Sequence, residues 1–158
     1  MSALHHEHLV RINDPANIGA PWLTRKQLWH ALRETVLAPK CFDDSIDAIA
    51  LKELGPDEWQ REIRRGGSTL IDRVAFGTTH TLTISADHRG HFAGSSLTIC
   101  IEEPAPGMLF VRFTYEVLGL DENRSEDEDV ARRSAYEQSD IERIRQARRF
   151  ASGVPAHH

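Results

Sequence analysis

The chain has 158 residues, of which 40% are apolar and 27% charged, so it is long enough for one domain with a hydrophobic core. The mean hydropathy is −0.44, and no apolar run approaches the roughly 20 residues that a membrane-spanning helix needs. With a net charge of −5, the chain has no overall electrostatic attraction for nucleic acid, and we expect none as a partner. The N-terminus has no apolar leader, and the two cysteines lie far apart. We therefore expect a single cytoplasmic domain over residues 1–158.

The first part of the chain predicts a strand followed by a helix. Glu7–Asn13 reads as a short strand. A helix then begins at Thr24, because Thr24 and Gln27 have the spacing of a capping box. This helix ends at Ala38-Pro39, and Lys40–Ser45 has room for one more helical turn.

Beyond Ile46 the apolar residues change from helical spacing to a period of two, which is typical of strands. Turns rich in Gly, Pro and Asp separate six such segments. Short turns between neighbouring strands indicate an antiparallel meander. The predicted strands are Asp47–Leu54, Trp59–Arg65, Thr69–Phe76, His80–Ala86, Phe92–Glu103 and Met108–Leu118.

A long amphipathic helix follows the strands, over Ser125–Ser152. Ser125 and Glu128 have capping-box spacing, and Gly153 marks the end of the helix. The order strand, helix, six strands, helix predicts the α+β class. We expect a seven-stranded, curved antiparallel sheet that grips the long C-terminal helix, with short helices between the first two strands.

Asp140 is the most informative polar residue, because it lies in the middle of the apolar face of that helix. Tyr136 and Ile144 are its neighbours at i−4 and i+4. A buried carboxylate is costly unless it is paired or hydrogen-bonded. Three interpretations stay open: a structural pair with an arginine of the sheet, with Arg61 as the favoured partner; a contact to a ligand; or a surface position.

The predicted strands supply further polar residues for the interior. Trp59 and Arg61 alternate on one face of their strand, and Asp72 shares a face with apolar neighbours on the next strand. Arg61 and Asp72 are either cavity residues capable of acid–base work or a hairpin salt bridge. Tyr115 lies on an apolar strand face, either in the core or with its hydroxyl in a cavity. The candidate ligand-binding residues are therefore Trp59, Arg61, Asp72, Tyr115, Tyr136, Asp140 and Ile144.

Histidines near the N-terminus are the nearest approach to a metal site. A strand would place His6 and His8 on one face, but no cysteine or carboxylate set completes a site near them. Sequence motifs for nucleotide binding, zinc hydrolysis and serine hydrolysis are absent. We expect no metal and no cofactor.

Seven stretches of the chain resemble the AtaL-like branch of the START/SRPBCC superfamily, which has the helix-grip fold of the birch-pollen allergen. The resemblance implies a deep apolar cavity between sheet and long helix. Members of the superfamily bind lipids, sterols or polyketides, and some are cyclases or dehydratases. No catalytic residue carries over to this chain from the resemblance. The stretches are VRINDP (10–15), LTRKQLWHAL (23–32), WQREI (59–63), IDRV (71–74), SLTICIEEP (96–104), LFVRFTYE (109–116) and YEQSDIERI (136–144).

Three functions follow as expectations. The first is binding of an apolar or aromatic small molecule in an internal cavity between the sheet and the C-terminal helix. The second is a polyketide cyclase- or dehydratase-like enzyme that uses cavity carboxylates. The third is a protein-interaction module without a ligand, for which the cavity would be filled core. The sequence leaves the ligand, the catalytic status and the oligomeric state open.

Overall fold

The computed structural model describes residues 2–87 and 94–153. Seven strands form one antiparallel sheet, which confirms the predicted α+β class. The spatial order is β1-β7-β6-β5-β4-β3-β2, so the first strand closes onto the last one and the others follow as a meander. The strands are β1 (Ser2–Arg11), β2 (Ala48–Gly55), β3 (Glu58–Arg65), β4 (Ser68–Phe76), β5 (Thr81–Ala86), β6 (Ser95–Ala105) and β7 (Met108–Leu120).

Two α-helices accompany the sheet. Helix α1 spans Arg25–Leu37, and Thr24 caps it with the predicted box, in which Gln27 returns a hydrogen bond to the Thr24 backbone. Helix α2 spans Glu126–Ala151, and the Ser125 hydroxyl accepts from the Glu128 amide at its start. The expected extra turn after α1 is a 3-10 turn at Pro39–Cys41, shorter than the expected segment.

The predicted strand boundaries agree with the structure to within a few residues for β2 to β5 and β7. The first strand begins earlier than expected, because β1 pairs with β7 from Ser2 onward. Phe92 and Ala93, the start of the sixth predicted strand, lie outside the described residues, as does most of the predicted turn before them. None of the helices in the described part of the chain combines the length and apolar character that a membrane crossing requires.

The hydrophobic core lies between one face of the sheet and the two helices. Alternate residues of β7, from Leu109 to Val117, are buried and face this core. Leu28, Leu32 and Val36 of α1 join them, and Ile144 and Ala147 come from α2. The long helix therefore packs on the sheet through one stripe and leaves a flank on each side of that stripe.

Asn13 holds the chain after β1 against the β6–β7 turn, a role that the sequence did not indicate. Its side chain is buried, donates to the carbonyls of Leu23 (2.9 Å) and Gly107 (2.8 Å), and accepts from the Leu23 amide at 2.9 Å. These bonds pair backbone groups that would otherwise be buried without partners. The start of α1 is thereby fixed over one end of the sheet.

Candidate functional site

Asp140 lies at the centre of the polar part of the interior. It is 1% exposed, so the predicted burial is confirmed. The Tyr115 hydroxyl donates to its Oδ1, and His8 Nδ1 lies 3.0 Å from its Oδ2. Both partners come from the sheet, because β1 and β7 pair side by side and Tyr115 and His8 face the helix. Asp140 is thus hydrogen-bonded through both carboxyl oxygens.

Burial and hydrogen bonds act in opposite directions on this cluster. Burial raises the pKa of Asp140, and the hydrogen bonds from Tyr115 and His8 oppose that rise without cancelling it. Burial, with the hydrogen bond to Asp140, also raises the pKa of the Tyr115 phenol. Tyr136 stacks on Tyr115 with ring centroids 4.2 Å apart, and burial raises its pKa as well. The two tyrosines therefore stay neutral at physiological pH.

Arg61 and Asp72 form a second buried pair. They are direct cross-strand neighbours, and Arg61 Nε and Nη2 donate to the two Asp72 oxygens at 2.8 and 2.7 Å. Arg61 Nη1 also donates to the Val36 carbonyl at 2.7 Å, near the end of α1. The expectation that Arg61 pairs with Asp140 is therefore wrong. Asp72 lies directly opposite Arg61 in the β3–β4 register and forms the ion pair with its guanidinium.

Arg143 was not among the predicted site residues. It lies one helical turn after Asp140 and donates from Nη1 to Thr35 Oγ1 at 3.1 Å. Burial, followed by the nearby positive charge of Arg61, lowers the pKa of Arg143, while Tyr115, Asp140 and Asp72 oppose this effect. The signal was present in the sequence, since Arg143 is three residues from Asp140 on the same helix. The sequence alone does not mark Arg143 as a site residue, because an arginine at that spacing is equally typical of a solvated helix flank.

Two openings reach this polar interior, one on each flank of α2. The first, which we name the α1–α2 pocket, has a volume of about 300 Å³. It lies between the end of α1, strands β3 and β4, and α2. Its lining residues are Thr35, Pro39, Asp43, Ile46, Arg61, Ile63, Arg65, Leu70, Ser139, Glu142, Arg143 and Gln146.

The second opening, which we name the α2 groove, has a volume of about 780 Å³. Its helix residues recur at the spacing of one helix face, and His8 lines it from the edge strand β1. The residues are His8, Val130, Arg133, Ser134, Glu137, Gln138, Ile141 and Arg145. His8 thus connects the groove to the buried Asp140.

The structure divides the predicted site residues into separate groups. Tyr115, Tyr136 and Asp140 are brought together, and Arg61 and Asp72 form their own pair. Trp59 packs edge-on against Phe76 with ring centroids 5.6 Å apart, and Ile144 is buried among core residues. Of the seven residues, Arg61 lines the α1–α2 pocket, and none of them lines the α2 groove. The ligand-binding role of this set remains a prediction.

His6 and His8 both face α2, as the alternation of a strand predicts. His6 Nε2 lies 3.0 Å from Glu137 Oε2, and His8 lies against Asp140 as described. No cluster of three or more metal-ligating side chains with suitable geometry occurs within residues 2–87 and 94–153. The histidine side chains instead connect the edge strand to the helix.

The arrangement offers two kinds of chemistry. A guanidinium at a partly polar pocket recognises an anion or a carbonyl oxygen through charge-assisted hydrogen bonds. A histidine held by a buried carboxylate can accept or donate a proton at its second ring nitrogen. Arg143 occupies the first position and His8 the second, on opposite flanks of the same helix.

Comparison with known proteins identifies the family. The family model described as AtaL, acetylaranotin biosynthesis cluster protein L, matches residues 10–153. The chain belongs to the AtaL family. Among curated proteins, none matches it. This member of the AtaL family is also similar to solved structures at identities that show the fold alone.

The Zhui aromatase/cyclase from Streptomyces sp. R1128 is 14% identical, with a TM-score of 0.64, and the match covers 96% of this chain and 94% of that one. Ara h 8.0201 is 13% identical, with a TM-score of 0.64 and coverage of 96% and 99%. The di-domain aromatase/cyclase StfQ from the steffimycin biosynthetic pathway is 12% identical, with a TM-score of 0.67 and coverage of 96% and 52%. The chain therefore has the SRPBCC helix-grip fold.

Proposed function

We propose that the protein binds a small molecule with an apolar or aromatic body and an anionic group, and that the α1–α2 pocket is the binding site. The anionic group is a carboxylate, a phenolate or an enolate. Arg143 receives this group, and the apolar lining of the pocket contacts the body. We also propose that residues 1–158 form one helix-grip domain, since the family match and the fold neighbours extend over nearly all of the chain.

The charges around the pocket carry this proposal. Asp43 pairs with Arg65 at 3.0 Å, Arg61 pairs with Asp72, and Glu142 pairs with Arg145. Arg143 is the remaining charged residue of the lining, and it has no ion pair among the described residues. A guanidinium has five donors, and here a single hydrogen bond to Thr35 is found within the described part of the chain. Arg143 is therefore the one charged residue of the lining without an ion pair to any described residue, and an anion bound in the pocket would supply one.

Arg143 is half-buried, which strengthens the case for an anionic ligand. Taking a cation out of water is costly unless it is paired, and both burial and the charge of Arg61 lower the pKa of Arg143. An anion bound at this position offsets that cost and forms a charge-assisted contact in a medium of reduced dielectric constant. Ile46, Ile63 and Leu70 provide the apolar contacts beside it.

The size of the pocket limits the ligand. Its volume of about 300 Å³ is at the lower end of the about 300–1,000 Å³ of known ligand pockets. A ligand with one or two fused rings suits this volume better than a long lipid chain. The aromatase/cyclase names of Zhui and StfQ are in keeping with an aromatic ligand, although their low identities support the fold and not the chemistry.

Two fluorescent probes with the same aromatic skeleton test the proposal. Anilinonaphthalenesulfonate carries an anion, and N-phenylnaphthylamine lacks it. We expect the sulfonate to bind saturably at one site per chain and more tightly than the neutral amine. Arg143→Met should weaken sulfonate binding about 10- to 100-fold, the range that one charge-assisted hydrogen bond supplies. Binding of the neutral amine should change little.

The matched control is Arg149→Met, which removes an exposed arginine of α2 that lines neither opening. Its sulfonate affinity should equal that of the wild type. Leu70→Trp, at a partly exposed position of the lining, should reduce the binding of both probes by filling the pocket. Equal affinities of the two probes for the wild type, or an equal loss in the Arg149 and Arg143 variants, would contradict the proposal.

A further inference from the structure

The α2 groove has the elements of a proton-transfer site, separate from the α1–α2 pocket. We infer that His8 Nε2 is a general base in this groove, that Asp140 positions it, and that Arg133 stabilises the anion that forms. The substrate class is a compact aromatic or unsaturated compound with an acidic C–H bond, whose deprotonation gives an enolate, a phenolate or a similar oxyanion.

The orientation of His8 is the first observation. With Asp140 ionised, its carboxylate only accepts hydrogen bonds, so the contact of 3.0 Å requires that His8 Nδ1 carries the hydrogen. The lone pair of the neutral ring is then on Nε2. The nearest charged partner of Nε2 is Glu137 Oε1 at 3.8 Å, too far for a hydrogen bond. The basic nitrogen is thus available on the side that lines the groove.

The rigidity of Asp140 is the second observation. Its side chain is buried, and its other oxygen accepts from the Tyr115 hydroxyl. Tyr115 is held in turn by stacking on Tyr136 at 4.2 Å. A buried carboxylate that accepts a hydrogen bond at each oxygen fixes both the tautomer and the direction of a histidine ring, as the orienting aspartate of a hydrolase triad does.

Arg133 is the third observation. It lines the same groove one turn before Glu137. Asp129, one turn before Arg133, interacts with its charge but pairs with Arg124 at 2.6 Å, so Arg133 has no hydrogen bond or ion pair within residues 2–87 and 94–153. Glu137 Oε2 contacts His6 at 3.0 Å, and Glu137 forms no ion pair with Arg133. Val130 and Ile141 add exposed apolar surface to the groove. A base, a cation and an apolar surface therefore line one opening.

The step balances without a cofactor. The C–H bond of the substrate breaks, its proton forms the N–H bond at His8 Nε2, and the electron pair moves to the oxygen atom that Arg133 faces. The protonated imidazole, stabilised by Asp140, then returns the proton to another atom of the product or to water.

Nitrobenzisoxazole is a suitable probe, because removal of its C–H proton breaks the N–O bond and releases a coloured cyanophenolate. The electron pair of the C–H bond becomes part of the nitrile, and the N–O pair stays on the phenolate oxygen. We expect saturable elimination by the wild type, and a loss of about 100-fold or more in kcat/KM for His8→Ala, the lower end of general-base contributions. Added imidazole should restore much of the rate of His8→Ala, since it can occupy the vacated position beside Asp140.

Asp140→Asn tests the positioning role. An asparagine amide donates to Nδ1, which moves the ring hydrogen to Nε2 and blocks the base. We expect kcat to fall about as far as in His8→Ala while KM stays near the wild-type value. Arg133→Gln, at a partly exposed position, should lower kcat without affecting folding. If His8→Ala does not fold, this variant still tests the proton-transfer role of the groove.

The matched control is His5→Ala on the opposite face of the same strand, where His5 contacts Glu116. It should keep the wild-type rate. Equal rates for the wild type and His8→Ala overturn the inference. An equal loss in His5→Ala and His8→Ala, or a wild-type rate no higher than that of the same concentration of free imidazole, also overturns it.

Discussion

The pair of Arg61 and Asp72 allows a quantitative test of the polar interior. Both residues are buried, at 6% and 5% exposure, and two parallel hydrogen bonds join them. Arg61→Met leaves the Asp72 carboxylate without its partner, and Asp72→Leu leaves a buried guanidinium with the Val36 carbonyl alone. Removing one partner of a buried pair costs about 3–5 kcal/mol. We expect each single variant to lose that much free energy of unfolding.

The double variant should be far less destabilised than the sum of the two. With both charges gone, the remaining cost is the Val36 carbonyl, whose partner is lost, at about 1–3 kcal/mol. The coupling energy between the two sites should then reach at least about 3 kcal/mol, well above the about 0.5 kcal/mol within which independent sites add. Urea unfolding of the four proteins, followed by circular dichroism, measures this coupling.

The neighbouring pair of Arg73 and Asp87 is the matched control. Their side chains lie 2.8 Å apart but are 45% and 70% exposed. An exposed pair of this kind contributes about 0–1 kcal/mol, so its double-mutant cycle should show little coupling. The cycle between Arg61 and Asp140 should be additive within about 0.5 kcal/mol. A coupling below about 0.5 kcal/mol for Arg61 and Asp72 would refute the reasoning.

Three further predictions concern stability. Because burial raises the pKa of Asp140, its ionisation opposes folding. The stability of the wild type relative to Asp140→Asn should therefore fall as the pH rises above about 4. Arg124 lowers the pKa of Asp129, so the stability of the wild type relative to Asp129→Asn should instead fall as the pH drops below about 4. Asn13→Ala should cost about 3 kcal/mol or more in urea melts, because the groups that it pairs stay buried; the exposed Asn17→Ala should cost less than about 0.5 kcal/mol. Ser125→Ala should cost about 0.5–2 kcal/mol, and an equal loss in Ser152→Ala would mean that the Ser125 cap does not matter.

The sequence by itself determined the order of elements and their types. Apolar residues with a period of two predicted the meander from β2 to β7, and the capping pair of Thr24 and Gln27 placed the start of α1. These signals are local, since each depends on residues within a few positions of one another. The burial of Asp140 also followed from local information, because the phase of an amphipathic helix fixes which residues face inward.

Only the tertiary structure decided which polar groups meet. The pairing of β1 with β7 places His8 beside Tyr115, so that both reach Asp140 although His8 is 132 residues from it in the chain, and no local pattern encodes that contact. The register of β3 and β4 places Arg61 opposite Asp72, although helix phase alone made Asp140 an equally reasonable partner for Arg61. Arg143 became notable once its neighbours were known to be paired, because the free charge of a pocket depends on every residue that lines it. Side-chain pairing in the interior thus depends on strand order and register, which a single sequence encodes only indirectly.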